Sequence, residues 1–258
     1  MTDYQIFKEC FPEFIIDEQN FNRLAYGDDV QIFREDGGFA AARGNNMGLL
    51  CVAPQYQHRG IGSSLLKQCE RYIAQNADKV VLSGNILPGI AECSAEFFKK
   101  HGYTLGGCFN EMSLELANFT VPQYEAPAGA GFCFYKGNIE DMRRSVADVD
   151  DEWVQYFNED GLFYVCMMGN EIASFCIVGE DECCLLSDGR RVGSVGCVGT
   201  VPKFRRNGLG LQMVALASQY LKDIGCERVF IHYTHLDKWY GKLGAQTFLR
   251  FITAEKAV

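Results

Sequence analysis

The stretch Thr200-Val201-Pro202-Lys203-Phe204-Arg205-Arg206-Asn207-Gly208-Leu209-Gly210 decides how this chain is read, because Val52-Ala53-Pro54-Gln55-Tyr56-Gln57-His58-Arg59-Gly60-Ile61-Gly62 matches it. The proline recurs from 54 to 202 and the glycines from 60 to 208 and from 62 to 210, a constant offset of 148 residues. A second pair of blocks follows in the same order: Phe97-Phe98-Lys99-Lys100-His101-Gly102-Tyr103 and Trp239-Tyr240-Gly241-Lys242-Leu243-Gly244-Ala245. Here the step from 97 to 239 is 142. Two blocks kept in order at nearly one offset indicate duplication of a domain-sized unit. The expected division is a first domain over 1–118, a linker over 119–131 and a second domain over 132–258. The linker carries Pro122, Pro127, Gly129 and Gly131 and has no periodicity of helix or strand.

The pattern around the repeats reads as alternating strands and helices. In the second half, strands are expected at Phe132–Tyr135, Leu162–Met168, Glu171–Val178, Val192–Val201, Arg228–Tyr233 and Thr247–Thr253. Asn138 caps a helix from Ile139, and Gly208 opens one whose apolar stripe is Leu211, Val214, Leu216, Ala217, Tyr220, Leu221 and Ile224. A short helix spans Leu236–Leu243. The first half repeats the later part: strands at Val30–Phe33, Phe39–Ala42, Leu49–Ala53, Val80–Leu82 and near Glu111–Leu116, with helices at Ile61–Gln75 and Cys93–His101. The opening Met1–Asp29 leaves room for one or two short helices.

Composition narrows the function. The 258 residues carry 24 Lys plus Arg against 33 Asp plus Glu, a net charge of −9, which argues against a general nucleic-acid binder or a polybasic membrane-surface protein. No run of about 18 apolar residues is present to span a bilayer, and the first residues, Met1–Cys10, lack the apolar core of a signal peptide. Twelve cysteines are scattered without a Cys-x-x-Cys pair, many inside apolar runs, as small hydrophobes in a reducing cytosol would be. The expectation is a cytoplasmic protein, with no nucleic-acid or membrane partner and an oligomeric state that composition does not fix.

Each repeat places a strand, then Pro-x-aromatic-x-x-x-Gly-x-Gly, then a helix. Such a turn presents free backbone N–H groups at a helix N-terminus, a site suited to a pyrophosphate. Lys203, Arg205 and Arg206 add positive charge beside it. The nucleotide-triphosphate loop pattern is absent, and the dinucleotide fingerprint fails because Met213 and Leu65 stand where its third glycine belongs.

Gln57-His58-Arg59-Gly60-Ile61-Gly62 and Arg205-Arg206-Asn207-Gly208-Leu209-Gly210, each with its downstream aromatic block, resemble the GCN5-related N-acetyltransferase (GNAT) superfamily. The resemblance extends over nearly the whole chain as two tandem copies, the first without a clear N-terminal strand and helix pair. It implies an α/β (α+β) fold of two GNAT-like domains, each a mixed, mostly antiparallel sheet flanked by helices. A splayed strand pair in each would admit acetyl-CoA as cosubstrate. Carried to this chain, pantetheine would pair along Val198, Gly199 and Thr200, and the pyrophosphate would rest on Arg206, Asn207, Gly208, Leu209, Gly210 and Leu211. The matching first-half residues are Leu50–Val52 and His58, Arg59, Gly60, Ile61, Gly62 and Ser63.

In many members a tyrosine of the aromatic block protonates the departing thiolate, a general-acid role. The second copy has Tyr240 there and the first has Phe98, which has no proton to give, so the first copy is expected to be catalytically degenerate and the second catalytic. Tyr240 could alternatively serve only in packing. No acid lies on Val192–Val201 to act as base; His232 is the titratable candidate, and a water relay would serve equally. The family asparagine seven residues before the tyrosine is replaced by Tyr233. His232 and His235 lack a third ligand at metal spacing, so no metal is expected. Glu140, Asp141, Asp148, Asp150, Asp151 and Glu152 form either a solvated helix face or an acidic rim for a cationic acceptor. The functional expectation is transfer of acetyl from acetyl-CoA to a small amine or peptide amine. The rival is a non-catalytic acyl-CoA-binding sensor.

Overall fold

A computed structural model describes all residues except 13, 28, 83–93, 124 and 183. Cys93, where a helix was expected to begin, and Cys183 lie outside the described residues. The chain falls into two compact units. The first gathers Met1–Asn110, Cys183–Gly189 and Phe248–Val258; the second gathers Glu111–Glu182 and Arg190–Thr247.

The first unit opens with two short helices, α1 (Asp3–Cys10) and α2 (Glu18–Ala25). Thr2 and Gln5 close a reciprocal capping box on α1, and the Asp17 carboxylate accepts from the Asn20 N–H at 2.8 Å on α2. Strands β1 (Val30–Glu35), β2 (Gly38–Arg43) and β3 (Asn46–Val52) form an antiparallel meander. Then come α3 (Ile61–Ile73), β4 (Lys79–Leu82) and α4 (Ala95–Lys100). Every residue from Phe39 to Ala42 on β2 is buried because both faces of the sheet are covered. Phe39 and Ala41 join Phe7 and Phe21 beneath α1 and α2, while Ala40 and Ala42 join Leu65, Leu66, Cys69 and Ile73 of α3.

Two long strands complete the sheets. The strand β5 (Thr104–Glu115) belongs to the first unit through Asn110 and to the second from Glu111. The last strand, β11 (Gln246–Ala257), belongs from Phe248 onward to the first unit, where Ala254 pairs with Leu82 and Lys256 with Val80 of β4. The first unit's strand order is therefore β1-β2-β3-β4-β11-β5.

The second unit contains β6 (Ala130–Phe134), α5 (Ile139–Ala147), β7 (Phe163–Met168), β8 (Glu171–Gly179), β9 (Val192–Thr200), α6 (Leu209–Asp223), β10 (Arg228–Thr234) and α7 (Asp237–Tyr240). Its order is β5-β10-β9-β8-β7-β6, antiparallel from β6 to β9 and parallel between β9 and β10. Most of the expected stripe of α6 faces the sheet: Leu211, Val214, Ala217 and Leu221 are buried with Val195, Val229 and Ile231. Tyr220 and Ile224 pack partly buried against them, and Leu216 stays outside that core because it falls on the helix's half-exposed side. Met112, Leu114 and Leu116 on and just after β5, with Phe119, complete that core. On the opposite face Met142 and Val146 of α5 pack with Phe157, Val165 and Phe175.

Each unit is thus a mixed, largely antiparallel sheet flanked by helices. The expected elements are present with ends shifted by a few residues, among them two short helices, α1 and α2, within Met1–Asp29. Among the described residues the first unit has no counterpart of β6, and one difference matters. Its last strand, expected near Glu111–Leu116, begins at Thr104 and enters the second unit at Glu111. Among the described residues no helix is long and apolar enough to cross a membrane.

Candidate active site

The two matched turns have the same local geometry. After each strand the chain makes a short 3-10 turn, Pro54–Tyr56 or Pro202–Phe204, started by its proline. The next side chain bonds back to the strand's end: Gln57 Nε2 donates to Val52 O at 3.0 Å, and Arg205 Nε donates to Thr200 O at 2.9 Å. Two left-handed residues follow in each copy, His58 (φ 60°) and Gly60 (φ 86°), Arg206 (φ 69°) and Gly208 (φ 73°). The glycine at the second of these avoids the steric cost that a Cβ meets there.

Gly60 and Gly208 are the N-caps of α3 and α6, and neither helix has a side-chain cap. The first intrahelical bonds are made by Ser64 N–H to Gly60 O and Gln212 N–H to Gly208 O. The N–H groups of Gly208, Leu209, Gly210 and Leu211, and those of Gly60, Ile61, Gly62 and Ser63, therefore have no partner within their helices. Alternating left-handed residues ahead of such a helix end curl the backbone into an anion-binding concavity.

The surroundings differ. Beside the second turn, Lys203 is engaged by Glu171 at 2.6 Å, whereas Arg206 is exposed and makes no ion pair among the described residues. A Cβ on Gly210 would lie 2.8 Å from Thr200 Oγ1 and 3.5 Å from Trp239. Helix, strand end and aromatic block meet there. Beside the first turn, Phe97 occupies the place of Trp239, 3.5 Å from a Cβ on Gly62. His101 Nε2 bonds Ser63 Oγ at 2.9 Å, and the Cys10 thiol donates to Val52 O at 3.3 Å.

Ahead of the second turn, β9 is irregular. It pairs with β8 as Phe175↔Gly199 and then Ile177↔Gly196, so β9 bulges between them, and Cys197 within the bulge has φ 46°. Pairing with β10 covers Arg228↔Val192, Val229↔Gly193 and Phe230↔Ser194, while β9 runs on to Thr200 and β10 to Thr234. Val198, Gly199 and Thr200 all lie past the last of these pairs. In the first unit, among the described residues, β3 and β4 pair at Asn46↔Val81.

Tyr240 is buried at 4% exposure, edge-on to Trp239 and within the core beneath α6. Burial pushes its phenol far above the ordinary value, and nearby Cys176 and Cys197 add to the shift, so the hydroxyl keeps its proton through neutral pH. Burial lifts the Cys197 thiol itself to about 11, with Asp150 adding to it, which argues against its acting as a nucleophile.

His232 has a partner that the sequence did not reveal. Its Nδ1 lies 2.7 Å from Oε1 and 2.8 Å from Oε2 of Glu111. The Glu111 side chain is only 4% exposed, against 39% for His232. Burial pushes the Glu111 carboxyl upward, while bonds from His232 and the Tyr233 backbone N–H pull it back. Tyr233 takes a left-handed conformation, φ 54°, directly after His232. Glu111 was missed because it sits on β5, at the far end of the first repeat. The available signal was an acid in a strand otherwise alternating Met112, Leu114 and Leu116.

The acidic residues ahead of the second unit's core serve largely as caps and pairs. Glu140 bonds Arg143, Asp141 bonds Arg144, and Asp150 accepts from the Glu152 N–H. Asp141, Arg144, Asp148, Glu171 and Lys203 nevertheless border a cleft of about 680 Å³ between α5 and the β7–β8 hairpin. Among the described residues no group of three or more His, Cys, Asp or Glu is arranged to hold a metal ion.

Comparison with known proteins gives one consistent answer. A family model described as "Acetyltransferase (GNAT) domain" matches residues 20–105, and one described as "Acetyltransferase (GNAT) family" matches 132–245. No curated protein matches the chain. Among solved structures, the chain is similar to the GCN5-related glucosamine N-acetyltransferase region of a fungal multi-domain GH3 beta-N-acetylglucosaminidase, with a TM-score of 0.77 and 17% identity. That match covers 98% of this chain but only 36% of the fungal one. A GCN5-related N-acetyltransferase from Kribbella flavida aligns with a TM-score of 0.62 and 18% identity, over 92% of this chain and 91% of its own. A tandem GNAT protein from the clavulanic acid biosynthesis pathway gives 0.61 and 12% identity, over 99% and 96%. Identities at this level establish the shared fold.

Proposed function

The chain belongs to the GNAT acetyltransferase superfamily, with two domains of that type in tandem, and from that premise we propose that its second domain transfers acetyl from acetyl-CoA directly to a primary amine. The observation that carries the proposal is the uncapped start of α6 at Arg206–Leu211, next to a strand end whose pairing with β10 stops at Ser194. The residues fit the cosubstrate. Four N–H groups and the Arg206 guanidinium suit a pyrophosphate. The edge of β9 at Val198, Gly199 and Thr200 offers backbone groups to pantetheine in a splayed strand pair. Thioester chemistry then needs a proton taken from the amine and a proton given to sulfur. Tyr240, protonated and buried next to the β9 bulge, is the proposed general acid, and His232 the proposed base. The first domain keeps the same turn over His58–Ser63 but has Phe98 at the tyrosine's place, so we propose that it binds acyl-CoA without catalysis. In chain order the duplicated repeats are proposed to run over 1–118 and 132–258 about a linker at 119–131, whereas the second compact unit takes Glu111–Glu182 and Arg190–Thr247.

The test is release of free thiol from acetyl-CoA across a panel of amines that includes glucosamine, other small amines and peptide N-termini. Turnover with at least one amine is expected. Tyr240→Phe should lower kcat about 100-fold or more while leaving the Kd for CoA unchanged. Binding without turnover on any acceptor would favour an acyl-CoA sensor. Wild-type kcat in Tyr240→Phe would return Tyr240 to a packing role. Titration calorimetry counts the sites: two equivalents of CoA if both turns bind, one if the first does not.

A further inference from the structure

We propose that Glu111 is a positioning residue for His232: it accepts the Nδ1–H and holds the imidazole in the tautomer whose Nε2 lone pair is free to take the amine proton. The inference rests on the acetyl-transfer reading above and deepens it by completing the proton path on the amine side.

The geometry is that of a carboxylate built to hold one ring. Both Glu111 oxygens lie within 2.8 Å of Nδ1, so the imidazole is aimed at the carboxylate's fork. Neither oxygen is left to solvent, since the side chain is buried and the Tyr233 N–H makes the remaining bond. Tyr233, which supplies that bond, is held in the left-handed region at φ 54°. The ring itself is part exposed, flanked by Phe230 at 5.6 Å and Tyr233 at 5.7 Å between ring centres. A buried anion thus fixes one nitrogen while the ring remains accessible. This is how a second group sets which imidazole nitrogen does the work. Glu111 lies at the point where β5 enters the second unit, so the base would be completed by a residue outside the second repeat.

The proton ledger closes without another reagent. As the amine nitrogen bonds to the acyl carbon and the C–S bond breaks, His232 Nε2 takes the amine proton and becomes imidazolium beside the Glu111 carboxylate. Tyr240 gives its proton to sulfur. Proton exchange with water then restores neutral His232 and protonated Tyr240.

Two measurements on the full chain test the assignment. Long-range 15N–1H spectra of the wild type at neutral pH should show His232 protonated at Nδ1 and unprotonated at Nε2. With an amine that turns over, Glu111→Gln should lower kcat about 10- to 100-fold with the KM for acetyl-CoA unchanged. Glu111→Gln/His232→Gln should be no slower than His232→Gln alone, because the two residues act as one unit. A ring protonated at Nε2, a Glu111→Gln enzyme with wild-type kcat, or independent losses that multiply in the double variant would each overturn the proposal. If the wild type turns over no amine, the acetyl-transfer reading falls. The tautomer, which needs no substrate and no variant that must fold, then decides alone on Glu111's hold over His232.

Discussion

Equivalent glycines in the two repeats should respond oppositely to one methyl group. Gly62 and Gly210 both occupy the second position of the helix after the turn, where replacing glycine by alanine is worth up to about 1 kcal/mol of helix propensity. A Cβ at Gly62 would meet its nearest neighbour, Phe97, at 3.5 Å and then Val52 at 3.7 Å, both ordinary contacts. Gly62→Ala should therefore be neutral or stabilising by up to about 1 kcal/mol. At Gly210 the same atom would lie 2.8 Å from Thr200 Oγ1. That hydroxyl is not free to retreat, since it bonds Ser174 Oγ at 2.9 Å and Ser174 is fully buried. Either the methyl overpacks the site, at about 1–3 kcal/mol, or the bond is lost and leaves a buried hydroxyl unsatisfied, at about 1–3 kcal/mol. Set against the helix gain, Gly210→Ala should be destabilising by about 1–2 kcal/mol.

The pair should thus differ by about 1–3 kcal/mol. At about 2–4 °C per kcal/mol for a chain of this size, their melting temperatures should separate by several degrees, with Gly62→Ala at or above wild type. Thermal melts followed by circular dichroism, checked against urea midpoints, measure it. A Gly210→Ala protein as stable as wild type, or a Gly62→Ala protein that falls equally far, would refute the argument that the second turn is closed against Thr200 and Trp239.

Three further outcomes concern a buried acid, the cysteines and the second domain's own core. Burial raises the folded Glu111 carboxyl above its ordinary 4.5, so the folded state binds that proton more tightly than the unfolded one. The group's contribution to stability is then full below 4.5 and lost as pH rises through the folded value; urea midpoints of wild type should fall relative to Glu111→Gln over that window, and parallel midpoints would contradict it. Iodoacetamide at pH 8 should alkylate the exposed Cys108 and Cys133 in the native protein, while Cys69 and Cys176, buried and pushed up to about 12, react only after unfolding. A fragment of residues 132–258 should fail to fold, because it lacks Met112, Leu114, Leu116 and Phe119 of its own core. Burial of those side chains is worth about 6–12 kcal/mol together, comparable to a domain's whole stability, and a cooperative melt of the fragment would refute this.

What the sequence made legible was local. The proline fixes the start of each 3-10 turn, the second left-handed position demands its glycine, and the stripe of α6 names its buried face, so all three were readable from residue types and spacing. The first left-handed position was not, because His58 and Arg206 adopt φ 60° and φ 69° without glycine's freedom. Each sits between the bond from Gln57 or Arg205 to the strand end and the glycine cap that follows, a setting that only the folded turn displays. The bulge at Cys197 is a property of the register between β8 and β9; Gly196 and Gly199, inside the strand, hint at an irregularity without placing it.

The partner of His232 was out of reach on stronger grounds. A repeat found by matching residues identifies what was duplicated, and it invites the assumption that each copy packs with itself. Strand pairing is under no such obligation, because a strand's backbone donors and acceptors are alike whichever repeat supplies them. Only side-chain fit chooses the neighbour. Along β5 the sequence Glu111-Met112-Ser113-Leu114-Glu115 reads as one more alternating strand, equally acceptable at the edge of either sheet. Its apolar residues settle the matter by filling the core beneath α6, and Glu115 follows by reaching Arg228. A carboxylate on that strand must then face whatever β10 presents, and β10 presents His232. Chain order alone puts Val192–Val201 and the strand after it closest to Tyr240, whereas the burial of Met112 and Leu114 beneath α6 is what brings the neighbouring acid, Glu111, to His232.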